Sequence, residues 1–345
     1  MLFNIVQSYV KTLILSMSLK NFTEMAKFNR VSADTIQRKL LSADDSHQKM
    51  LSIAQETFQK NSILYLICDE TFSHHPYSKV IEGTDDHFDS KIYQEIRSHK
   101  ILAFGISDGK QILPLYSEFL FGKMSSKKQI PSRIEIVQRM VLKTKKDFPG
   151  KNIILVADGA FGKIKMLEWC INNNISAEFR IAKNSKVTFK NQAQQLKNIR
   201  NLQPKGKQTS RTIKVAWHKM KLYITAQKRT NKNGKETLVY QVSTYFAKPS
   251  KHIKTYQKRW PIEKMFRTTK QYLGLQECQA RKMETQLNHI ASVFLAYAYL
   301  VVEQKRLKLK SPEEALRAIK LKNERILKKN NKLKNAIRSN FSAYC

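Results

Sequence analysis

The stretches Ile63-Leu-Tyr-Leu-Ile-Cys68-Asp69 and Ile153-Ile-Leu-Val-Ala157-Asp158 decide the expected fold, because each is a short apolar run that ends in an aspartate. Apolar runs of this length are typical of buried strands. Each carboxylate is therefore expected to project from the carboxyl end of a strand, where open α/β sheets place their ligands. One such aspartate is commonplace as a turn or cap residue, whereas two indicate a shared site.

Further apolar runs around these two predict an α/β domain with a mixed sheet. Additional strands are expected at 101–106 and 112–116, with a hairpin turn at Asp108-Gly109 between them. Helices are expected at 132–146 and 161–172. A stretch rich in Lys, Gln and Asn then leads to three alternating strands that predict a β-rich insertion, at 212–218, 222–227 and 238–245, with a second hairpin turn at Asn233-Gly234.

Both ends of the chain are predicted to be helical. Segments 23–29 and 32–41 each begin at a hydroxyl residue able to cap a helix, an arrangement that resembles a helix-turn-helix. With Arg30, Arg38 and Lys39 it could enter a DNA groove, and a helical bundle closing over the core is the equal alternative. The apolar run 290–302 is too short to span a membrane and predicts a buried helix. The last helix is expected to begin at Ser311, which caps it.

The composition points to a polyanionic partner. The 345 residues include 63 Lys and Arg against 27 Asp and Glu, a formal net charge of +36. Such an excess favours nucleic acid, ahead of an anionic membrane. The apolar-leaning N-terminal residues 1–17 show no convincing cleavage site, so a cytoplasmic location is expected. The four cysteines lack metal-ligand spacing and predict neither zinc nor a disulfide framework: Cys68, Cys170, Cys278 and Cys345.

A third candidate carboxylate lies among four residues with helical spacing, Tyr256, Arg259, Glu263 and Lys270. At about 100° per residue they fall within an arc of about 60°, so one helix face would carry all four. Pro261 qualifies this prediction, because it either kinks the helix or marks its true start. By spacing alone, the solvated face of an amphipathic helix is the favoured interpretation.

The same four positions match a family signature. Tyr-x2-Arg-x3-Glu-x6-Lys, here within residues 256–270, resembles the signature of a large group of bacterial insertion-sequence transposases. The blocks Cys68-Asp69-Glu70-Thr71 and Val156-Ala-Asp158-Gly-Ala-Phe-Gly162 are similar to the first and second aspartate motifs of that group, in the same order. The β-rich insertion also falls where the group has one. The resemblance covers roughly residues 60 to 300.

This resemblance implies a ribonuclease-H-like fold and a metal-dependent active site. Asp69, Asp158 and Glu263 would hold two Mg2+ ions, for which Mn2+ is expected to substitute, because hard cations prefer oxygen ligands. One ion would activate water or a 3′-hydroxyl and the other would stabilise the leaving oxygen. Asp85, Asp86 and Asp108 are rival carboxylates explained as loop or turn residues, and His74 and His75 are interpreted as surface or hydrogen-bonded histidines.

The resemblance also implies positions for DNA. Tyr256, Arg259 and Lys270 would hold backbone phosphates near the cleaved end. Arg180 resembles a DNA-contacting position of the family, although a basic residue on an edge strand is nearly as good an explanation. Trp217 is a candidate for stacking an extruded base, but its alternation with Ile213 and Val215 favours a core aromatic.

The implied function is DNA transposition: strand cleavage, release through a DNA hairpin and strand transfer into target DNA. The expected partners are double-stranded DNA, as terminal inverted repeats and target, and a second copy of the chain in a synaptic homodimer, in a bacterial, nucleoid-associated setting. No membrane partner is expected, and no ATP, because the loop from Gly159 to Lys163 lacks the spacing GxxxxGK[ST]. The alternatives are a ribonuclease-H-like endonuclease without strand transfer and a retired transposase that only binds DNA.

The expected domain organisation follows the same resemblance. Its five parts are a helical N-terminal region with possible DNA-end binding (1–58), the first part of the catalytic domain (59–182), the β-rich insertion (183–250), the last part of the catalytic domain (251–302) and a basic helical C-terminal region (303–345).

Overall fold

The computed structural model describes residues 5–16, 20–41, 45–89, 92–121, 131–230 and 233–342. The chain divides into two compact units. A helical unit is drawn from 1–50, 79–82 and 267–345, and a sheet-bearing unit from 51–78 and 83–266. Cys345 lies outside the described residues, as do residues 1–4 and 17 of the apolar-leaning N-terminus. The other three cysteines are free and buried.

Eleven strands form one sheet in the described part of the sheet-bearing unit. They are β1 (Ile63–His74), β2 (Asp85–Asp89), β3 (Gln94–Ser107), β4 (Ile112–Leu120), β5 (Asn152–Ala157), β6 (Ser176–Ile181), β7 (Lys186–Phe189), β8 (Gln192–Gln195), β9 (Ser210–Trp217), β10 (Met220–Thr230) and β11 (Glu236–Ser243). Their order is β2-β3-β1-β5-β6-β11-β10-β9-β7-β8, and β4 also pairs with β3.

The first half of this sheet has the predicted mixed topology. Strands β1, β3 and β4 form an antiparallel meander, and β5 and β6 extend it parallel to β1. Helix α5 (Arg133–Asp147) precedes β5, and α6 (Ile164–Asn172) connects β5 to β6. Antiparallel strands followed by parallel ones in this order form a ribonuclease-H-like sheet, so the predicted fold class is confirmed.

Local chemistry explains why these elements form where they do. Leu64, Leu66 and Ile67 of β1 are fully buried, as expected for an apolar run in a central strand. Ser132 and Glu135 cap α5 reciprocally, each side chain accepting a hydrogen bond from the other's backbone N–H. At the predicted hairpin, Asp108 Oδ1 accepts hydrogen bonds from the N–H groups of Lys110 and Gln111. Gly109 supplies the positive φ of the turn.

The insertion continues the main sheet, because β11 pairs antiparallel with β6. The three predicted strands are present as β9, β10 and β11. Strands β7 and β8 were not predicted, because their polar sequence, Lys186–Phe189 and Gln192–Gln195, has weak strand propensity and tertiary pairing overrides it. The prediction that Asp85 and Asp86 are loop residues is wrong, since both lie on β2 and pair with β3.

The helical unit contains the two predicted N-terminal segments and the long C-terminal helices. Its helices are α1 (Ile5–Leu15), α2 (Phe22–Asn29), α3 (Ala33–Leu41), α9 (Met283–Arg306) and α10 (Pro312–Ser342). Ser32 caps α3 as predicted, but Asn21, not Thr23, caps α2, because its side chain accepts the Glu24 N–H. Arg38 is exposed and forms an ion pair with Asp34. Ser311 caps α10 by accepting the N–H of Glu314.

Helix α9 is the predicted buried helix. Among the described residues it is the one helix long and apolar enough to cross a membrane, and 78% of its most apolar window is buried within the protein. Ile290, Phe294 and Leu300 are each at most 1% exposed. This burial is typical of a core helix.

Three further helices complete the chain. Helix α4 (Asp45–Thr57) precedes β1, and α7 (Pro249–Gln257) and α8 (Pro261–Tyr272) follow β11. Both α4 and α8 cross from one compact unit into the other.

Candidate active site

Asp69 and Asp158 occupy neighbouring positions where β1 and β5 separate. The parallel pairing of these strands ends at Cys68 and Ala157, one residue before each aspartate. Asp158 directly follows β5, as predicted. The prediction that Asp69 ends its strand is wrong, because β1 continues to His74 through its pairing with β3. Asp69 is nevertheless the first residue of β1 beyond the pairing with β5. Asp69 and Asp158 therefore occupy equivalent positions, each one residue after the last β1–β5 pair.

The loop after Asp158 is tightly packed. Asp158 Oδ1 accepts a hydrogen bond of 2.8 Å from the N–H of Ala160, which fixes one side of the carboxylate. A Cβ atom added to Gly162 would lie 2.7 Å from the carbonyl oxygen of Arg180, so this position accepts no larger residue without movement of the backbone. The sequence block from Asp158 to Gly162 is thus held against β6 by a close backbone contact.

The prediction of one helix face for Tyr256, Arg259, Glu263 and Lys270 is wrong. Helix α7 ends at Gln257, and α8 begins at Pro261. Proline has no N–H to continue the helical ladder but is favoured in a first helical turn, so it starts a new helix. Tyr256 therefore lies on α7, Arg259 in the connecting turn, and Glu263 in the first turn of α8.

Arg259 connects the two sides of the site. Its Nη1 donates a hydrogen bond of 2.6 Å to Asp69 Oδ2, and its Nη2 donates to Glu263 Oε1. The side chains of Arg259 and Asp69 are 14% and 16% exposed, and that of Glu263 is 36% exposed. One guanidinium thus bridges the carboxylate of β1 and the carboxylate of α8.

The electrostatics of Asp69 reflect its crowded position. Burial raises the pKa of Asp69 to about 6, Arg259 and the N–H of Glu70 oppose this rise, and the charges of Asp158 and Glu263 add to it. Burial lowers the pKa of Arg259, but Asp69, Tyr256 and Glu263 together outweigh that effect and leave the pKa raised. The three carboxylates are therefore electrostatically coupled, and Asp69 is stabilised by positive charge.

These residues fit a divalent cation by their chemistry. The donors are carboxylate oxygens, which Mg2+ and Mn2+ prefer, and a cation would offset the mutual repulsion that acts on Asp69. Across the part of the chain that the structure describes, no three His, Cys, Asp or Glu side chains already stand as a metal-ligand group. Arg259 hydrogen-bonds one oxygen of Asp69 and one of Glu263.

The remaining predicted DNA contacts have different surroundings. Tyr256 is 6% exposed, packs on Ile154 and Val156, and has the Arg259 guanidinium 5.9 Å from its ring centroid. Burial raises the pKa of Tyr256, while the charges of Arg259 and Arg180 lower it. Arg180 is exposed on β6, which lies between β5 and β11, so the edge-strand alternative is wrong. Lys270 lies two turns beyond Glu263 on α8, in the part of that helix assigned to the helical unit.

Trp217 lines a cavity beside the Asp158 loop. It is 8% exposed at the end of β9, which agrees with the core interpretation. The cavity has a volume of about 390 Å³, and its lining includes Gly162, Lys163, Lys165 and Trp217. A buried ring that still faces a basic cavity is compatible with both interpretations of this tryptophan.

Sequence reasoning missed a buried group that supports α7. Glu178 of β6 accepts hydrogen bonds from Tyr245 Oη at 2.9 Å and from His252 Nδ1 at 3.4 Å. His252 is on α7, one helical turn before Tyr256. Because 74 residues separate Glu178 from His252, the local spacing gave no signal of this pair. The i to i+4 spacing of Arg259 and Glu263, in contrast, was a usable signal of an ion pair.

Comparison with known proteins gives one extensive match. Residues 65–299, more than half of the chain, match the family described as "Transposase DDE domain". No curated protein sequence matches the chain. Similar solved structures include "Mos1 transposase paired-end complex with left transposon end" (12% identity, TM-score 0.20, 49% of this chain and 56% of that chain) and "Crystal structure of a pre-cleavage Mos1 transpososome" (11%, 0.19, 49% and 57%).

The chain spans little more than half the length of these solved structures, and at such low identity and TM-score they carry no conclusion about its activity. The family match is of another kind, because it extends over residues 65–299, a range that includes Asp69, Asp158 and Glu263. This chain belongs to the DDE-domain transposase family.

Proposed function

We propose that this chain is an active transposase that cleaves DNA at the ends of an insertion sequence and transfers the cut strands into target DNA. The observation that carries the proposal is that the charges of two carboxylates from other elements, Asp158 and Glu263, act on Asp69. Asp69 and Asp158 each follow the last residue pair between β1 and β5. Arg259 donates hydrogen bonds to both Asp69 and Glu263 of α8. Family membership over residues 65–299 supports the same activity.

The three carboxylates would hold Mg2+, as two ions by the family resemblance, with Mn2+ as a substitute. When bound, such ions supply Lewis acidity to the attacking and leaving oxygens of phosphoryl transfer. The protein's own contribution is orientation. The Ala160 N–H fixes Asp158, the Glu70 N–H contacts Asp69 Oδ1, and the helical first turn positions Glu263.

Arg259, Tyr256, Arg180 and Lys270 would hold the DNA backbone. Arg259 has a planar guanidinium suited to a bidentate contact with a phosphate. This guanidinium lies over the buried Tyr256 ring, 5.9 Å from its centroid. Arg180 is exposed on the strand against which the Asp158 loop packs. Lys270 contributes a point charge further along α8. Trp217 would stack an extruded base if the cavity that it shares with Lys163 and Lys165 opens to DNA.

Further parts of the proposal rest on the family resemblance and on composition. The partners would be double-stranded terminal repeats, target DNA and a second copy of the chain in the synaptic complex, without ATP. The net charge of +36 favours the DNA partners. A DNA hairpin would form during release, the protein would act in the cytoplasm of a bacterium, and the domain boundaries would be those expected from the sequence.

The test uses purified full-length protein, Mg2+ and DNA that carries the inverted repeats flanking the gene. We expect nicked, hairpin and joined products, all of them lost in Asp158→Ala with DNA binding retained. Asp86→Ala is the matched control, because it removes an exposed carboxylate on β2, and it should cleave normally.

Three results would redirect the proposal. Normal cleavage by Asp158→Ala would show that the carboxylate assignment is wrong. Binding without cleavage by the unmodified protein would indicate a retired transposase. Cleavage without joining would indicate a ribonuclease-H-like endonuclease.

A further inference from the structure

The Arg259 guanidinium occupies the carboxylate oxygens that a cation shared by Asp69 and Glu263 would need. Nη1 donates to Asp69 Oδ2 at 2.6 Å, and Nη2 donates to Glu263 Oε1. Charge-assisted hydrogen bonds from two nitrogens of one planar group are strong and directional. Asp69 Oδ1 already accepts the Glu70 N–H, so Oδ2 is the oxygen on which Arg259 and a cation would compete.

The same arginine is incompletely satisfied in this arrangement. Its Nε is buried and is among the side-chain atoms without a hydrogen-bond partner in the described part of the structure. An unpaired buried donor is costly, and the cost is greater for a charged group. The Nε–H donor is therefore unused in this arrangement, and a phosphate could accept from Nε and one Nη together in a bidentate contact.

We propose that Arg259 is a gate that couples DNA binding to metal binding. While Arg259 hydrogen-bonds both Asp69 and Glu263, these carboxylates are not available to a divalent cation. When a DNA phosphate binds Nε and one Nη of Arg259, the guanidinium moves away from Asp69 and Glu263. The two carboxylates can then bind the cation. Arg259 is thus a positioning residue for the metal, in addition to its DNA contact. This inference rests on the proposed function, because it requires that Asp69 and Glu263 are metal ligands.

The coupling has two thermodynamic consequences. A cation binds only molecules in which Arg259 has left the two carboxylates. Its apparent affinity is therefore the intrinsic affinity multiplied by the fraction of such molecules. Because coupling between two binding sites is reciprocal, DNA must strengthen metal binding by the same factor by which metal strengthens DNA binding. Removal of the arginine abolishes both effects.

The experiment is calorimetric titration of Mn2+ into the full-length protein, with and without a saturating duplex DNA and with duplex alone as the blank. We expect Arg259→Gln to bind Mn2+ about tenfold more tightly than the unmodified protein without DNA, as when a bridge that is closed in nine molecules of ten is removed. The duplex should tighten Mn2+ binding to the unmodified protein but not to Arg259→Gln. Arg259→Lys keeps the charge without the fork, and it should fall between the two.

Arg180→Gln is the matched control, because it removes one guanidinium charge near Tyr256 without touching Asp69 or Glu263. Equal or weaker Mn2+ binding by Arg259→Gln would overturn the gate, and so would an equal gain in Arg180→Gln, which would reduce the effect to net charge. Asp158→Asn separates the two hypotheses. Unchanged Mn2+ binding in that variant would contradict the proposed metal site itself, whereas weakened binding with no gain in Arg259→Gln would contradict the gate alone.

Discussion

Two acidic residues in the sheet-bearing unit, one fully buried and one partly buried, differ in the kind of partner that each has. Glu178 is fully buried and accepts hydrogen bonds through Oε2 from Tyr245 and His252. His252 Nε2 accepts the Ala247 N–H, so this imidazole is neutral and donates through Nδ1. Asp69 depends mainly on Arg259, which it shares with Glu263. Glu178 thus lies in a local network, and Asp69 shares its partner at the edge of a site.

We propose that this difference separates a structural acid, Glu178, from a functional one, Asp69. Burial raises the pKa of both Asp69 and Glu178, so burial and pKa do not distinguish them. The arrangement of the partners does, because His252 of α7 pairs with Glu178 of β6, whereas we propose that a divalent cation takes the place of Arg259 at Asp69. Removal of the functional acid should therefore change activity, and removal of a partner of the structural acid should change stability.

The largest expected effect is on activity. Asp69→Asn should reduce DNA cleavage to background, because an amide is a poor ligand for a divalent cation. Its free energy of unfolding should be unchanged or higher by up to about 2 kcal/mol, because active sites keep charges that do not favour folding. Cleavage assays and urea unfolding of the same preparation test both. Retained cleavage, or a loss of stability like that of a core variant, would break the comparison.

The next effect is on stability. His252→Ala should lower the free energy of unfolding by about 3 kcal/mol, because it removes a hydrogen-bond donor from the buried Glu178 carboxylate. Lys254→Ala is the matched control on the exposed side of α7 and should change stability by less than about 0.5 kcal/mol. If urea unfolding shows equal stability for both variants, the Glu178 network is not structural.

A buried histidine in the helical unit, His289, predicts how folding stability depends on pH. His289 Nε2 donates to the Gly274 carbonyl, and Nδ1 accepts from Tyr9 Oη, so the ring is neutral. Burial lowers the pKa of His289 to about 4, with the Gly274 contact opposing the shift.

Since the unfolded chain protonates this ring near pH 6.5 and the folded chain only near pH 4, folding stability falls as the pH drops between these values. The loss should be about 3 kcal/mol. Urea unfolding at pH 7 and pH 4 should show this loss in the unmodified protein and a smaller one in His289→Gln, because the variant lacks the titrating ring. An identical pH response of the two proteins would contradict the neutral buried assignment.

The smallest expected effect concerns the loop that holds Asp158. Gly162→Ala places a Cβ atom 2.7 Å from the Arg180 carbonyl oxygen and should cost about 1–3 kcal/mol of stability. In Gly159→Ala the same carbonyl oxygen is 3.4 Å away, an ordinary contact, so this variant is the matched control. A thermal unfolding series that ranks the two variants equally would show that the loop relaxes freely.

The sequence predicted the elements whose signals are local. Strand β5 with Asp158 was found because a buried run ends there, and the helix expected at 132–146 is present as α5, which Ser132 caps. Strand β2, rich in aspartate, was missed because its pairing with β3 outweighs poor strand propensity. The single face from Tyr256 to Lys270 failed at Pro261, whose missing N–H begins a second helix.

The parts of the site that the sequence could not predict depend on tertiary distance. Asp69 and Arg259 are 190 residues apart, and Glu178 and His252 are 74 apart, so no periodicity connects either pair. The family resemblance implied that Arg259 binds phosphate, but only the fold shows that it also bridges two carboxylates. The roles of Asp69, Asp158 and Glu263 as one metal site stay a prediction.

The most direct test of that prediction is iron-mediated cleavage of the protein backbone. Fe2+ bound in place of Mg2+, with ascorbate and peroxide, cuts the chain close to the ion, and the fragments can be mapped by mass spectrometry. We predict cuts near Asp69, Asp158 and Glu263 together, suppressed by excess Mg2+ and lost in Asp158→Asn. Cuts confined to other segments, such as the histidines of β1 and β2, would contradict a shared site of these three carboxylates.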